Sequence, residues 1–269
     1  MSWAPVLPAL AFLAAIFFAA IADNSLRSIS PPEGPWFSYY WKLATDSFYL
    51  RSLVETVVLS TATTAICLLI GYPIAYYLVR HARGGRALII FLLISPLLTS
   101  IIMRTFGWRV LFARRGLLNV TLEQLGLIDR PLDILNSSVS VLIGMVHVLV
   151  PFMVLSIAAV LEKIDPRIEE AGQVLGASRF QVFSHVTVPL SLDGVASGAI
   201  LVFMLAMGSF VTLLFLGGGS LQTFPLLIYQ QFNTTRDFGM AAAMSNVLMI
   251  LAALLLFVQL RFIRRSGVT

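Results

Sequence analysis

The sequence predicts an all-α integral membrane protein with about six transmembrane helices. Of its 269 residues, 58% are hydrophobic and only 12% are charged, whereas soluble domains average about 45–50% and about 25%. The hydrophobic residues form long, nearly uncharged runs, as bilayer-spanning helices require. These runs are continuously apolar and lack the alternation of apolar and polar residues that the strands of a transmembrane β-barrel show. The same composition excludes a secreted disulfide scaffold, a disordered chain and a nucleic-acid-binding domain.

Six stretches of the chain meet or approach the length of about 20 apolar residues that a spanning helix needs. The third is the shortest and can extend through Arg104 toward Leu111. The first ends in Ala20-Ile21-Ala22, which resembles a signal-peptide cleavage site. No Lys or Arg precedes its apolar run, so we expect a retained helix. The six predicted spans are 4–22, 53–79, 87–103, 139–161, 194–216 and 239–260.

Basic residues predict the orientation of the chain. Lys and Arg divide nine to nine between the two sides, but arginines crowd the short loop after the second span and the end of the last span. Charges in such short segments weigh most in the positive-inside rule. We therefore expect both termini in the cytoplasm, with segments 23–52 and 104–138 outside and the long loop 162–193 inside. The crowded arginines are Arg80, Arg83, Arg86, Arg261, Arg264 and Arg265.

Catalytic and metal-binding motifs are missing from the sequence. It contains no phosphate-binding GxxxxGK[ST] motif, no GxSxG motif, no HExxH and no CxxC. His81, His147 and His185 are far apart, and the single Cys67 lies in an apolar run as a small core residue. The spans contain almost no acidic residues, whereas proton-driven carriers keep ionisable groups at membrane depth. An enzyme and a self-powered carrier are therefore disfavoured, and the energy must come from elsewhere.

The inner loop 162–193 carries the clearest local signals. Asp165 can cap a first short helix whose first position is Pro166, where the missing N–H costs nothing. Gly176 is placed to end that helix. Ser178 and Gln181 have the spacing of a capping box for a second helix. These residues predict a compact helix–turn–helix on the cytoplasmic side.

The two predicted loop helices are amphipathic. Ile168, Ala171 and Leu175 share one face of the first helix, and Glu169 and Glu170 lie near its positive N-terminal end. Exposed carboxylates beside projecting aromatic residues suit docking to another protein, although an amphipathic loop lying in the membrane interface remains an alternative. The apolar side of the second helix consists of Phe180, Val182 and Phe183, and Pro189 is expected to end the run before the fifth span.

This loop resembles the EAA loop of permeases in ATP-binding-cassette (ABC) importers. The family pattern is EAA, three residues, Gly, nine residues and then I-x-L-P. The chain has Glu170-Ala171-Gly172, followed by Gly176 at the family spacing and by Val186-Thr187-Val188-Pro189. It departs from the pattern in Gly172, which replaces the second alanine, and in two valines that replace Ile and Leu.

The resemblance extends over roughly residues 50–260 and is closest to permeases of spermidine/putrescine importers, the first permease of the pair in particular. Leu213 stands where those relatives have a proline, which predicts the loss of a kink near the outer end of the fifth span. The segments that carry the resemblance are Arg104-Thr105-Phe106-Gly107-Trp108, Gly116-Leu117-Leu118-Asn119, Gly144-Met145, Pro151-Phe152-Met153-Val154-Leu155, Gly176-Ala177-Ser178 and Phe210-Val211 before Leu216-Gly217-Gly218.

The resemblance implies a type I ABC importer permease fold in a bacterial inner membrane. Residues 1–50 would form an N-terminal transmembrane helix and a periplasmic segment, 51–262 the permease core, and 263–269 a cytoplasmic tail. The chain would be one half of the pathway for a small cationic solute, a polyamine by this likeness. It would hold no cofactor and be no enzyme, since ATP and magnesium bind to a partner. The implied partners are a second homologous permease, two ATP-binding subunits, a periplasmic solute-binding protein and the lipid bilayer.

The resemblance also implies which loop residues couple ATP hydrolysis to transport. Glu170 would contact a basic residue of the ATP-binding subunit, Gly176 would set the angle between the loop helices, and Phe180 or Phe183 would fill an apolar pocket. The full expected coupling set is Glu169, Glu170, Ala171, Gly176, Ala177, Phe180 and Phe183.

Polar or aromatic groups at membrane depth give four candidate pathway residues, Trp108, His147, Phe210 and Asn246. Because acids are scarce in the spans, we expect the binding protein to select the solute. Alternatives are a permease of the same build for an opine, an amino-acid derivative, thiamine or ferric ion, a stand-alone secondary carrier or channel, and a membrane-embedded enzyme.

Overall fold

The computed structural model describes residues 7–29, 35–82, 84–219 and 221–265, which form helices joined by turns and loops, with no strand among them. This confirms the predicted all-α class. The prolines of the stretch 27–41 predict that it begins as an irregular loop, but it is helical through Ile29 and again from Ser38, and residues 30–34 lie outside the described residues. The α-helices of the first half of the chain are α1 (Leu7–Ile29), α2 (Ser38–Thr45), α3 (Ser47–Arg80), α4 (Arg86–Leu98), α5 (Ile101–Phe112), α6 (Leu117–Gln124) and α7 (Ser138–Leu161).

The second half contains short helices around the inner loop and a long final helix. This half also contains two π-helical turns, Phe183–Thr187 and Gln231–Thr235. The final helix reaches three residues into the predicted tail 263–269, and residues 266–269 lie outside the described part. The α-helices are α8 (Pro166–Val174), α9 (Arg179–Val182), α10 (Val188–Leu190), α11 (Leu192–Met207), α12 (Val211–Leu216), α13 (Phe224–Gln230) and α14 (Phe238–Arg265).

Within the described residues, four helices are long and apolar enough to cross a membrane, and two bent helix pairs raise the number to six if each pair is one span. The chain is therefore a multi-pass membrane protein with four to six candidate spans, a range whose upper limit is the predicted number. The four straight candidates are Leu10–Ile29, Ser47–Arg80, Ser138–Leu161 and Phe238–Arg261.

The third span is broken, which corrects the prediction of one helix over 87–103. The axes of Arg86–Leu98 and Ile101–Gln124 differ by 99°. Thr99 between them is extended, and its Oγ1 donates to the carbonyl of Pro96 at 2.9 Å. Hydropathy reports only composition, so it cannot reveal a bend that a proline and a hydroxyl side chain stabilise inside an apolar run.

The fifth span is broken as well, whereas the sequence predicts one helix over 194–216. Helix α11 ends at Met207 and α12 begins at Val211, with Gly208 as the C-cap of α11. The replacement of a proline by Leu213 therefore does not leave the span straight, because the break lies before this residue. Leu213 is itself buried within α12.

Pro189 does not end the helical run before the fifth span, because it lies inside α10, where Pro is tolerated in the first turn. The chain turns two residues later, at Ser191, where the axes of Arg179–Leu190 and Leu192–Met207 differ by 61°.

By their contacts, the residues fall into two compact units, Met1–Val54 with Thr223–Ala253 and Glu55–Gln222 with Leu254–Thr269. The predicted domain boundary after residue 50 falls inside α3. The first unit has an apolar core composed of Leu43, Tyr49, Phe224, Leu227, Met240, Ala243 and Met244.

In the second unit, α7 packs most extensively against α11. Small residues permit this approach, because a Cβ at Gly198 would lie 2.8 Å from Met153 Sδ and one at Gly194 would lie 3.0 Å from Ile157 Cα. Such small-residue contacts are typical of helix packing in membranes.

The segment after α5 is folded around Asn119, a residue of the motif that the resemblance identified. Its side chain donates to the carbonyls of Ala113 and Leu132, both at 3.1 Å, and accepts from the amide of Leu132 at 2.8 Å. Nearby, Arg114 donates two hydrogen bonds to Asp133, at 2.7 and 2.8 Å, and the hydrogen bonding lowers the pKa of that carboxyl. The segment is thus an ordered loop.

Candidate functional site

The first helix of the inner loop begins and ends as the sequence predicts. Asp165 accepts a hydrogen bond from the amide of Arg167 at 2.9 Å, and Pro166 occupies the first turn. At the other end, Gly176 has a φ of 92°. Its amide bonds the carbonyl of Gln173, and the amide of the next residue bonds that of Gly172. This is the Schellman arrangement that glycine permits at low cost.

The second loop helix also has its predicted cap. Ser178 Oγ accepts from the amide of Gln181 at 3.3 Å, and Gln181 Oε1 accepts from the amide of Ser178 at 2.8 Å. The reciprocal pair is the capping box that the spacing predicts. The two caps fix the turn between α8 and α9 by local contacts alone.

The apolar face of α8 points away from the rest of the chain. Val174 and Leu175 are 87% and 88% exposed, and Ile168 and Ala171 are exposed as well. Such a cluster of exposed apolar side chains is typical of a protein or membrane contact. Glu170 is exposed beside it. We call this surface the outer face of the loop; its residues are Ile168, Glu170, Ala171, Val174, Leu175 and Phe180.

Glu169 has a different environment, although the sequence groups it with Glu170 as an exposed carboxylate. It forms an ion pair with Arg80, with Nη2 and Oε1 3.0 Å apart, and the two side chains are only 9% and 12% exposed for Arg80 and Glu169. Thr187 Oγ1 donates to the same Oε1 at 3.1 Å. Arg80 Nη2 also donates to the carbonyl of Ile164 at 3.2 Å. Glu169 therefore belongs to an internal network and not to the outer face.

The sequence offers little sign of this network. Arg80 is one of the arginines that the topology rule explains by itself, and its partner lies 89 positions away. A second ion pair nearby, between Arg86 and Glu162, is exposed, with side chains 49% and 44% accessible. Exposed pairs of this kind contribute about 0–1 kcal/mol.

The two loop phenylalanines also divide between inside and outside. Phe180 is 75% exposed. Phe183 is half-buried, and its ring packs edge-on against Tyr72 and Tyr76, with centroids 5.7 and 5.4 Å apart. Of the two aromatic residues expected to fill a partner's pocket, the outer face presents Phe180. Ala177, between the two helices, is half-buried.

A polar cavity of about 280 Å³ lies between the loop helices and the end of α3. Its lining includes both members of the buried ion pair, so the network borders a space that water can enter. Other polar residues of its wall are His81, Glu170, Gln173 and Arg179.

Two of the four candidate pathway residues are in contact. Trp108 Nε1 donates to His147 Nδ1 at 3.3 Å, and the two rings meet edge-on with centroids 5.3 Å apart. One turn before Trp108, Arg104 Nη2 donates to the carbonyl of Thr99 at 3.2 Å. Among the described residues, no acceptor reaches Arg104 Nε or Nη1, although both atoms are buried. The broken third span thus carries an arginine that retains hydrogen-bonding capacity.

The other two candidates lie elsewhere. Phe210 lies at the break between α11 and α12. Asn246 is buried in the first unit, where its Oδ1 accepts from Asn24 Nδ2 at 2.8 Å and its Nδ2 donates to Ser28 Oγ and Tyr40 OH, both at 3.1 Å. The amide of Asn246 is therefore used to hold α1 and α2 against α14.

Comparison with known proteins assigns the chain to a protein family. The model of the family described as binding-protein-dependent transport system inner membrane component matches residues 4–268. The spermidine/putrescine transport system permease protein PotB of Haemophilus influenzae is 34% identical over 91% of this chain and 89% of that protein. PotB of Escherichia coli is 36% identical over 80% of this chain and 78% of that protein. The molybdenum transport system permease protein ModB of Mycobacterium bovis is 33% identical over 80% of each.

Solved structures share the fold. A bacterial alginate ABC transporter, in complex with an alginate-bound periplasmic protein, has a chain that matches 98% of this one with a TM-score of 0.77 and 17% identity, over 93% of its own length. A chain of the MetNI methionine ABC transporter, in an inward-facing conformation, matches 81% of this one with a TM-score of 0.61 and 17% identity, over 95% of its own length. At this identity the likeness concerns the fold alone, and it confirms the predicted importer permease fold.

Proposed function

This chain belongs to the family of binding-protein-dependent transport system inner membrane components, and from that premise we propose that it forms half of the transmembrane pathway of an ATP-driven polyamine importer. As a permease subunit it is not an enzyme, and ATP hydrolysis takes place in a partner subunit. A second homologous permease would form the other half of the pathway. Two ATP-binding subunits would sit on the cytoplasmic side, and a periplasmic binding protein would deliver the solute.

The outer face of the loop carries this proposal. It is an exposed apolar surface with a carboxylate beside it, on a helix whose two ends are capped. Such a surface suits a groove on the ATP-binding subunit, where Phe180 would fill an apolar pocket and Glu170 would accept a charge-assisted hydrogen bond. Closure of the ATP-binding subunits would then move the loop and favour the outward-facing state of the pathway.

The proposed solute follows from the spermidine/putrescine permeases among the relatives. Aromatic residues such as Trp108 and Phe210 would contact a cationic solute along the pathway through their ring faces. Since the spans contain few acids, selection would take place mainly in the binding protein. Docking of the inner loop on cytoplasmic ATP-binding subunits would also place both termini in the cytoplasm, as the positive-inside rule predicts.

One observation favours a second solute class. Arg104 in the broken third span has two buried nitrogen atoms without an acceptor among the described residues. Guanidinium groups bind oxyanions well, and a molybdenum permease is among the relatives. An oxyanion importer of the same build is therefore the alternative to a polyamine importer.

Solute uptake tests the proposal. The complete transporter would be co-purified through this chain, its subunits identified, and uptake of radiolabelled spermidine and putrescine measured in proteoliposomes with and without ATP. We expect ATP-dependent uptake that requires the binding protein. ATP-dependent uptake of radiolabelled molybdate, with none of spermidine or putrescine, would support the alternative, and uptake by this chain alone would overturn the importer assignment.

A further inference from the structure

The buried ion pair of the inner loop joins parts of the chain that are distant in sequence. Arg80 is the last residue of α3, and Glu169 lies in the first turns of α8. Thr187, the other partner of Glu169, ends the π-helical turn that leads toward α11. We propose that Glu169 and Arg80 are positioning residues that transmit movement of the loop to the transmembrane helices. This inference rests on the proposed function, since it assumes that the loop docks on an ATP-binding subunit.

The position of the pair supports transmission. Besides its backbone connections to α7 and α9, α8 reaches the rest of the chain through contacts on its inner side, where Glu169 provides a charged contact. Because α3 has 34 residues, it is about 51 Å long at roughly 1.5 Å per residue and passes through the whole membrane. A fixed link at Arg80 therefore lets a movement of the loop act on a complete spanning helix.

Two further contacts make the same connection. Tyr72 and Ser191 share a hydrogen bond of 2.8 Å between their hydroxyl groups, which joins α3 to the turn before α11. The ring of Phe183 packs against Tyr72 and Tyr76 of α3. With the ion pair, these contacts hold α3, α8 and the beginning of α11 together, so that they move as one body when the loop moves.

The burial of the pair distinguishes it from its exposed neighbour. Arg86 and Glu162 also join the loop region to another helix, but their side chains are about half accessible to solvent. An exposed pair is screened by water and does not hold a fixed geometry. Glu162→Gln is therefore the matched control for Glu169→Gln, since both replace a carboxylate by an amide of the same size near the same loop.

The experiment compares these variants in the complete transporter, reconstituted in proteoliposomes with its binding protein and the ligand that co-purifies with that protein. Three quantities are measured: the amount of ATP-binding subunit that co-purifies, ATP hydrolysis with and without the loaded binding protein, and solute imported per ATP hydrolysed. For Glu169→Gln we expect wild-type co-purification and basal hydrolysis, with a loss of about tenfold in solute per ATP, the usual range of coupling between sites. Glu162→Gln should match the wild type.

Two more variants exclude a merely structural effect. Thr187→Val removes one hydrogen bond to Glu169 and keeps the ion pair, so a loss of about two- to threefold in solute per ATP is expected. Arg80→Gln should resemble Glu169→Gln, and the double variant should be close to the more impaired single variant, since each single variant already removes the ion pair.

Unchanged solute per ATP in both Glu169→Gln and Thr187→Val would overturn the inference. So would a loss of the ATP-binding subunit from Glu169→Gln, because the pair would then support docking and not transmission. Failure of the proposed function would give a different result from failure of this inference. If polyamines are not the solute, the wild type imports none of them, while stimulation of ATP hydrolysis by the loaded binding protein still reports coupling in every variant.

Discussion

Two consecutive glutamates on one helix, Glu169 and Glu170, differ in burial, although both border the same polar cavity. The first is buried in an ion pair with Arg80 and bonded to Thr187, whereas the second is exposed on the outer face of the loop. Helix α8 thus has the opposite distribution of side chains from an ordinary surface helix, since a carboxylate is buried against the chain and apolar side chains are exposed. Such a reversal indicates that the helix is built to be covered by a partner. One side of the loop is bonded to other parts of the chain, and the other is the surface that we propose for docking.

The largest change in free energy is expected for a substitution on the outer face of the loop, where it would weaken docking. Phe180→Asp should weaken docking of the ATP-binding subunit by at least about 2 kcal/mol, or roughly 30-fold in affinity, because it places a charge where an aromatic side chain would fill a pocket. The measurement is the amount of ATP-binding subunit that co-purifies with the permease at increasing dilution. Wild-type co-purification by this variant would remove Phe180 from the docking surface.

The inner phenylalanine should respond differently. Phe183→Ala removes ring contacts with Tyr72 and Tyr76, and since the side chain is half-buried, we expect a loss of roughly 2 kcal/mol in stability, below the 3–5 kcal/mol of a fully buried Phe. The thermal midpoint of the purified complex should fall by several degrees, with docking retained. An unchanged midpoint together with lost docking would show that Phe183, and not Phe180, faces the partner.

The turn between the loop helices gives a smaller expected effect. Gly176 has a φ of 92°, so Gly176→Ala should destabilise the loop by about 1 kcal/mol. Tryptic cleavage at the exposed Arg179 should then become about fivefold faster, because local opening is that much easier. Gly176→Asn is the control, since Asn tolerates positive φ better than Ala. Equal cleavage rates for the wild type and both variants would show that the positive φ at this position does not strain an alanine.

The smallest effect is expected where the loop helix approaches its neighbour. A Cβ at Gly172 would lie 3.1 Å from Val182 Cγ2, so the gain of up to about 1 kcal/mol that Gly→Ala gives in a helix is offset by crowding. Gly107 in α5 has no atom within 4 Å of such a Cβ, so Gly107→Ala should give the full gain. Thermal midpoints of the two variants test this, and an equal gain at both positions would show that the contact with Val182 is soft.

What the sequence predicts well is decided by neighbouring residues. The caps at Asp165, Gly176 and Ser178 follow from contacts within five positions, and each is found where the spacing places it. Segments rich in apolar residues likewise predict the spans, because the bilayer requires a certain length of them. The family follows from the spacing of the EAA pattern for the same reason, since the motif is local.

What the sequence misses is decided at a distance or by direction. The partner of Glu169 is 89 residues away, and nothing in the pattern of α8 tells which of two adjacent carboxylates faces inward. The breaks after Leu98 and Met207 leave hydropathy unchanged, so composition cannot locate them. Asn246 is polar at membrane depth, which indicates a pathway as much as a structural network, and only its partners distinguish the two.

The hydrogen bond between Asn24 and Asn246 has a consequence for how the protein is made. These residues are 222 positions apart, and at about 5–20 residues per second, a ribosome needs roughly 11–44 s to synthesise the chain between them. During that time Asn24 lacks its partner on α14, at a cost that apolar surroundings increase, whereas Ser28 can already bond Ser25 and Tyr40. The bond between α1 and α14 therefore forms only after α14 is synthesised. A chain that stops before Asn246 therefore keeps the contact between Ser28 and Tyr40 but leaves the side chain of Asn24 without this partner.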